Sequence, residues 1–129
     1  MSIPLFYDTH AHLDYPDFAP DFDQVIARAN AAGIQKMISI GTDLESSRRA
    51  IQLAEKFPCL YAVVGCHPSE VMGAPEDIRD VLRELGRHPR VVALGETGLD
   101  YHRLPSQKPE FTAADDEHYK KKQADLFRQ

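Results

Sequence analysis

Apolar residues arrive in four short β-rich runs, Ile3 to Tyr7, Lys36 to Ile40, Leu60 to Val64 and Val91 to Leu94, with helical patterns between them. Phe22, Val25, Ile26 and Ala29 recur at helical spacing behind Pro20, and Gly33 reads as the cap that ends this segment. A second helix is expected to begin near Thr42, paired with Glu45 as a capping box, and to run through Ile51 and Ala54 to a stop before Pro58. A third is expected from about Pro75, with Ile78, Val81, Leu82 and Leu85 on one face and Gly86 at its end. The last is expected over roughly Asp115 to Gln129, its apolar side made of Tyr119, Leu126 and Phe127. Strand followed by helix, four times over, predicts an α/β fold with a parallel (βα)4 sheet, as one domain over residues 1–129.

Composition narrows the class. A chain of 129 residues with 43% hydrophobic content can bury a core without metal or disulfide support. Its formal net charge of −5 supplies no basic face for non-specific nucleic-acid binding. That charge does not exclude chemistry on phosphodiesters, because carboxylates hold the divalent ions that carry positive charge into such sites. No apolar run is long enough to cross a bilayer, and no basic segment with an apolar core opens the chain, so the cytoplasm is the expected location and no membrane partner is expected. Cys59 and Cys66 are expected to be small buried hydrophobes in a reducing compartment.

The residues that carry chemistry gather where strands give way to loops. Asp8-Thr9-His10-Ala11-His12-Leu13-Asp14 follows the first run, Gly65-Cys66-His67-Pro68 the third, and Gly95-Glu96-Thr97-Gly98-Leu99-Asp100-Tyr101 the fourth. The carboxyl ends of parallel strands form the mouth where substrates bind. With a period of two, His10 and His12 project the same way and can share one cation. The same spacing also occurs where two histidines merely hydrogen-bond at a strand end. Glu96 is the natural third ligand, since two His and one Glu make a catalytic zinc set with a position open for water. Its competing reading is a loop carboxylate bonded to backbone amides. His67 suits hydrogen bonding to a phosphate or protonation of a leaving group, and equally a ring satisfied by backbone. Asp8 and Asp14 are placed to orient the imidazoles. Asp100, Tyr101 and Arg103 would line the mouth, with Arg103 suited to phosphate. Gly95 and Gly98 allow tight turns around Glu96, Asp43 reads as a helix cap, and His88 and His118 as surface residues. Lys120, Lys121 and Lys122 read as a solvated helix face in preference to a phosphate patch.

In order and separation, these three segments resemble the signatures of the TatD-type metal-dependent deoxyribonucleases. Gln123 and Phe127 are similar to that family's Gln-x-x-x-Phe stretch. The resemblance covers the whole chain. It implies a TIM barrel of the amidohydrolase kind and two divalent ions per complete site, drawn from Mg, Mn or Zn. It also implies hydrolysis of DNA or oligonucleotide phosphodiesters. On it, His10, His12 and Glu96 would hold metal, Glu96 and His67 would be catalytic, and His67, Tyr101 and Arg103 would contact substrate. A TIM barrel needs eight strand-helix units and about 250 residues, whereas four units are present, and the family's later histidines and aspartate have no counterparts after Gln129.

The chain therefore reads as the front half of an enzyme, with strands one and four open to pairing with another chain. A fragment of a longer enzyme is the favoured expectation, ahead of two copies forming a pseudo-barrel or a half retained for another purpose. Two further functions stay open. One is an amidohydrolase acting on an amide or ester; the other is a catalytically silent half-barrel that self-associates or binds a partner.

Overall fold

The computed structural model describes residues 4–129. Four parallel strands form one sheet in the order β1-β2-β3-β4, each joined to the next through a helical connection. They are β1 (Phe6–Ala11), β2 (Ile34–Ile40), β3 (Leu60–Val64) and β4 (Val91–Leu94), with α1 (Phe22–Ala31), α2 (Leu44–Lys56) and α3 (Arg79–Gly86) between them and α4 (Ala113–Phe127) after the last. Short 3-10 turns at Pro16–Asp21, Pro68–Gly73 and Pro105–Gln107 complete the connections. This is the predicted (βα)4 arrangement.

The first strand begins and ends later than its apolar run suggests. Pairing with β2 decides its extent: Phe6 lies opposite Ile34 and Ala11 opposite Ser39, so pairing continues through the polar residues Asp8 to His10. Pro4 has no N–H to give a ladder, and Ile3 lies outside the described residues. His10 thus sits within β1, not behind it.

Met37, Leu60, Ala62 and Val64 pack with Ile26, Ala50, Ile51 and Ala54 into the main core between sheet and helices. By strand alternation Ile38, Ile40, Tyr61 and Val63 project to the other face. A second cluster of Cys66, Val71, Ile78, Tyr119 and Leu126 seats α4 against the loop after β3. Within the sheet β1 pairs only with β2 and β4 only with β3, so both outer edges are open among the described residues. Phe6 and Tyr7 on one edge strand and Val92 and Leu94 on the other are exposed.

Helix starts differ from the sequence reading wherever a cap overrides periodicity. For α2 the cap is Asp43: its carboxylate accepts the Ser46 N–H at 2.6 Å, while the Asp43 N–H donates to the Ser46 hydroxyl at 2.9 Å. The box is therefore Asp43 with Ser46, not Thr42 with Glu45. Helix α3 starts at Arg79 instead of near Pro75, because the Ile78 N–H is taken by the Gln129 side chain at 2.8 Å and Asp77 caps the Arg79 N–H at 3.0 Å. Helix α4 starts earlier than expected, at Ala113, where Thr112 and Asp115 form the capping box. Its inward face holds Asp116, Tyr119, Gln123 and Leu126, whereas Phe127 is exposed, contrary to the apolar-side expectation. Gly33 ends the α1 connection at φ 97°, a conformation that favours glycine.

Candidate metal centre

His10 and His12 come from the end of β1, and Glu96 follows β4, at the opposite side of the same sheet. The sheet's curvature closes that gap. His10 Nε2 lies 3.6 Å from one Glu96 oxygen and His12 Nε2 lies 3.8 Å from the other. One donor atom from each of the three residues falls within 4.8 Å of the others. Ligand bonds of about 2.1 Å in a tetrahedron put donors about 3.4 Å apart, so the separations suit a divalent ion between them.

A backbone carbonyl fixes the orientation of the His12 ring. The Ile40 carbonyl accepts from His12 Nδ1–H at 3.0 Å, which turns Nε2 and its lone pair toward Glu96. The Tyr15 ring stacks on His12 with centroids 5.2 Å apart, and His10 meets His12 edge-on at 5.1 Å. The donor set is two imidazole nitrogens and one carboxylate, which fits zinc, manganese or magnesium. Glu96 and His12 are about a quarter to a third exposed and His10 about half, so the cluster is open to solvent.

Neither flanking aspartate orients these rings. The Asp8 carboxylate accepts the His10 backbone N–H at 3.0 Å. Asp14 is turned away into an ion pair with Arg49, whose Nε and Nη2 both donate to Oδ2, while Oδ1 is buried with no partner. The carbonyl of Ile40 does the orienting, and no side-chain pattern in a sequence marks a carbonyl. Tyr15 was equally hidden, since it lies outside the motif it supports.

The other expected site residues do not join this cluster. His67 holds the loop after β3 by donating its backbone N–H to the Thr42 carbonyl at 2.7 Å. Its Nδ1 accepts the Ser69 N–H at 3.1 Å, leaving Nε2 as the outward nitrogen. Tyr101 is exposed beneath Lys120, whose Nζ is 5.8 Å from the ring centre. Arg103 is exposed and makes no hydrogen bond or ion pair among the described residues. The lysine run is engaged locally: Lys120 pairs with Glu117, Lys121 with Asp125, and Lys122 donates to the Ala74 carbonyl at 3.0 Å. Cys66 is buried, and burial pushes its thiol up to about 11, which removes any Cys-His nucleophile from consideration. Both cysteines are free. His88, expected at the surface, is half-buried beside Glu55 at 3.1 Å.

The chain has recognisable relatives among known proteins. The family model described as TatD related DNase matches residues 7–129. An uncharacterized metal-dependent hydrolase, YabD, of Bacillus subtilis is 37% identical over 98 residues, which cover 76% of this chain and 38% of that protein. A 3'-5' ssDNA/RNA exonuclease TatD of Citrobacter koseri is 37% identical over 97 residues, covering 75% of this chain and 37% of that protein. Among solved structures, the TatD homologue YjjV of Escherichia coli superposes with a TM-score of 0.71 at 32% identity, covering 94% of this chain and 44% of the other. The chain thus spans less than half the length of the relatives it matches.

Proposed function

Because this chain belongs to the TatD related DNase family, we propose that it forms the front half of a metal-dependent deoxyribonuclease in which His10, His12 and Glu96 hold a divalent ion. The observation that carries this reading is the convergence of those three donors from opposite sides of the sheet. Bound there, the ion would lower the pKa of a water and offset charge building on the phosphodiester, with two ions in the complete site. Glu96 would fix its share of the ion through the oxygens facing His10 and His12. His67 Nε2 would meet a phosphate oxygen or the leaving group, since its Nδ1 is already engaged by Ser69. Tyr101 and Arg103, both exposed, would stack on a base and pair with a phosphate. DNA or an oligonucleotide is the proposed substrate, and the free thiols Cys59 and Cys66 fit the cytoplasm.

Calorimetric titration with Mn2+ tests the centre. One site in the wild type, lost in Glu96→Ala, supports the reading; equal Mn2+ affinity in both sinks it. A chelator-sensitive nuclease assay tests turnover separately, and amide or ester substrates in the same preparation test the alternative hydrolase.

A second reading concerns what covers the open edges. All four strands run the same way in sequential order, so a two-fold axis along the barrel would bring β4 of one copy to β1 of the other at both seams and close eight strands. Leu94 of that edge strand also lines a cleft of about 650 Å³ together with Leu82 of α3 and Leu126 of α4. A homodimer in analytical ultracentrifugation that dissociates on Leu94→Lys supports this assembly, and a monomer at high concentration refutes it.

A further inference from the structure

Helix α4 carries two buried polar side chains, Asp116 and Gln123, whose partners all lie in the loops at the mouth. Spaced seven apart, they share one helix face. Gln123, 1% exposed, accepts the Asp100 N–H at 2.9 Å and donates through Nε2 to the carbonyls of Asp100 at 2.7 Å and Pro68 at 3.4 Å. It thereby ties the loop of His67 to the loop of Glu96. Asp116 accepts the Ser106 N–H at 2.8 Å and the Ser106 hydroxyl at 2.6 Å. Those donors hold the Asp116 carboxyl below its usual range, with the hydroxyl contributing most. Between the two anchored points runs an exposed stretch, Tyr101, His102 and Arg103, turned by the Asp100 carboxylate on the His102 N–H at 2.9 Å.

A buried amide and a buried carboxylate facing a helix-packing surface are costly choices if packing is all they provide, since apolar residues would fill the same space. Both instead fix backbone at the ends of the loop that leads on from Glu96 and presents an exposed aromatic ring and guanidinium. We propose that Gln123 and Asp116 are positioning residues, which hold the Tyr101–Arg103 loop in the geometry that receives a single-stranded nucleic acid. The proposal rests on the nuclease reading for the identity of the ligand. Anchoring lowers the loop's entropy before binding, and a preorganised loop binds more tightly than one ordered by its ligand.

The test compares the full chain with Gln123→Leu, Gln123→Met and Asp116→Leu, which remove the accepting oxygens, each first checked for cooperative unfolding. Amide exchange reads the anchoring, Mn2+ titration reads the metal cluster, and fluorescence anisotropy with a short oligo-dT strand reads the ligand. The expected result is faster exchange at the Asp100 amide in the Gln123 variants and at the Ser106 amide in Asp116→Leu. Mn2+ affinity should stay within about twofold, since the three ligands are untouched, while the oligo-dT Kd rises about tenfold, or about 1.4 kcal/mol. A merely structural role would not separate the two affinities. Unchanged oligo-dT binding with freely exchanging amides overturns the proposal, as do amides still protected in the variants. Failure of the nuclease reading looks different: there the wild type itself binds neither Mn2+ nor oligo-dT.

Discussion

Gly65→Ala is the sharpest test of how the fold places the candidate metal centre. A Cβ on Gly65 would lie 2.2 Å from the Gly95 carbonyl oxygen and 2.5 Å from its carbon. Carbon and oxygen ordinarily approach to about 3.3 Å, so β3 and the end of β4 must part by about 1 Å. Both sides of the contact are backbone, and no rotamer change relieves it. The Gly95 N–H donates to the Val64 carbonyl at 2.9 Å, and parting the strands stretches that bond beyond useful range. Overpacking at about 1–3 kcal/mol and a weakened buried hydrogen bond at about 1 kcal/mol together cost roughly 2–4 kcal/mol. With unfolding entropy of about 2.1 cal/mol/K per residue, a loss of about 3 kcal/mol lowers Tm by about 11 °C for a chain of this size. Because Glu96 follows Gly95 directly, Mn2+ affinity should fall with Tm. Differential scanning calorimetry and Mn2+ titration measure both. Gly73→Ala is the control, as a Cβ there meets nothing within 4 Å. A Tm for Gly65→Ala within about 2 °C of wild type, with unaltered Mn2+ binding, would show that strand contact at this point is not what places Glu96.

Asp43→Ala should cost about 1 kcal/mol at neutral pH by removing the α2 cap. The backbone N–H of Ser46 is the main cause of the lowered Asp43 pKa, so this stability is present above the unfolded value near 3.9 and fades as pH falls through the folded one; urea titrations of both proteins should converge in acid. Burial raises the Cys66 thiol to about 11 from its ordinary 9.0, so its contribution is lost as pH climbs from about 9 to about 11, where the unfolded chain has already released the proton. Stability of Cys66→Ala should therefore fall less over that window, by up to about 2 kcal/mol in urea midpoints. Arg49→Met strands the Asp14 carboxylate, whose side chain is 1% exposed, and should destabilise by about 3 kcal/mol; adding Asp14→Leu should restore most of it, and additivity of the two losses would disprove the pairing argument.

The sequence by itself determined the succession of strands and helices and the parallel sheet, because strand and helix periods are local, and it singled out His10, His12 and Glu96 because their motifs sit at strand ends. It determined element boundaries less well. Thr42 with Glu45 had the spacing of a capping box, yet Asp43 and Ser46 form it, since hydroxyl and carboxylate compete over the same few orphan N–H groups. Asp14 had the right place in its motif to steer a histidine, but only packing shows it paired with Arg49 across 35 residues. The polar inward face of α4 was hidden in the same way: Asp116 and Gln123 break its apolar pattern and gain meaning from loops they meet after folding. What tertiary structure alone decided was convergence. Glu96 meets His10 and His12 because four staggered strands curve through space, and that register is a property of pairing between distant segments.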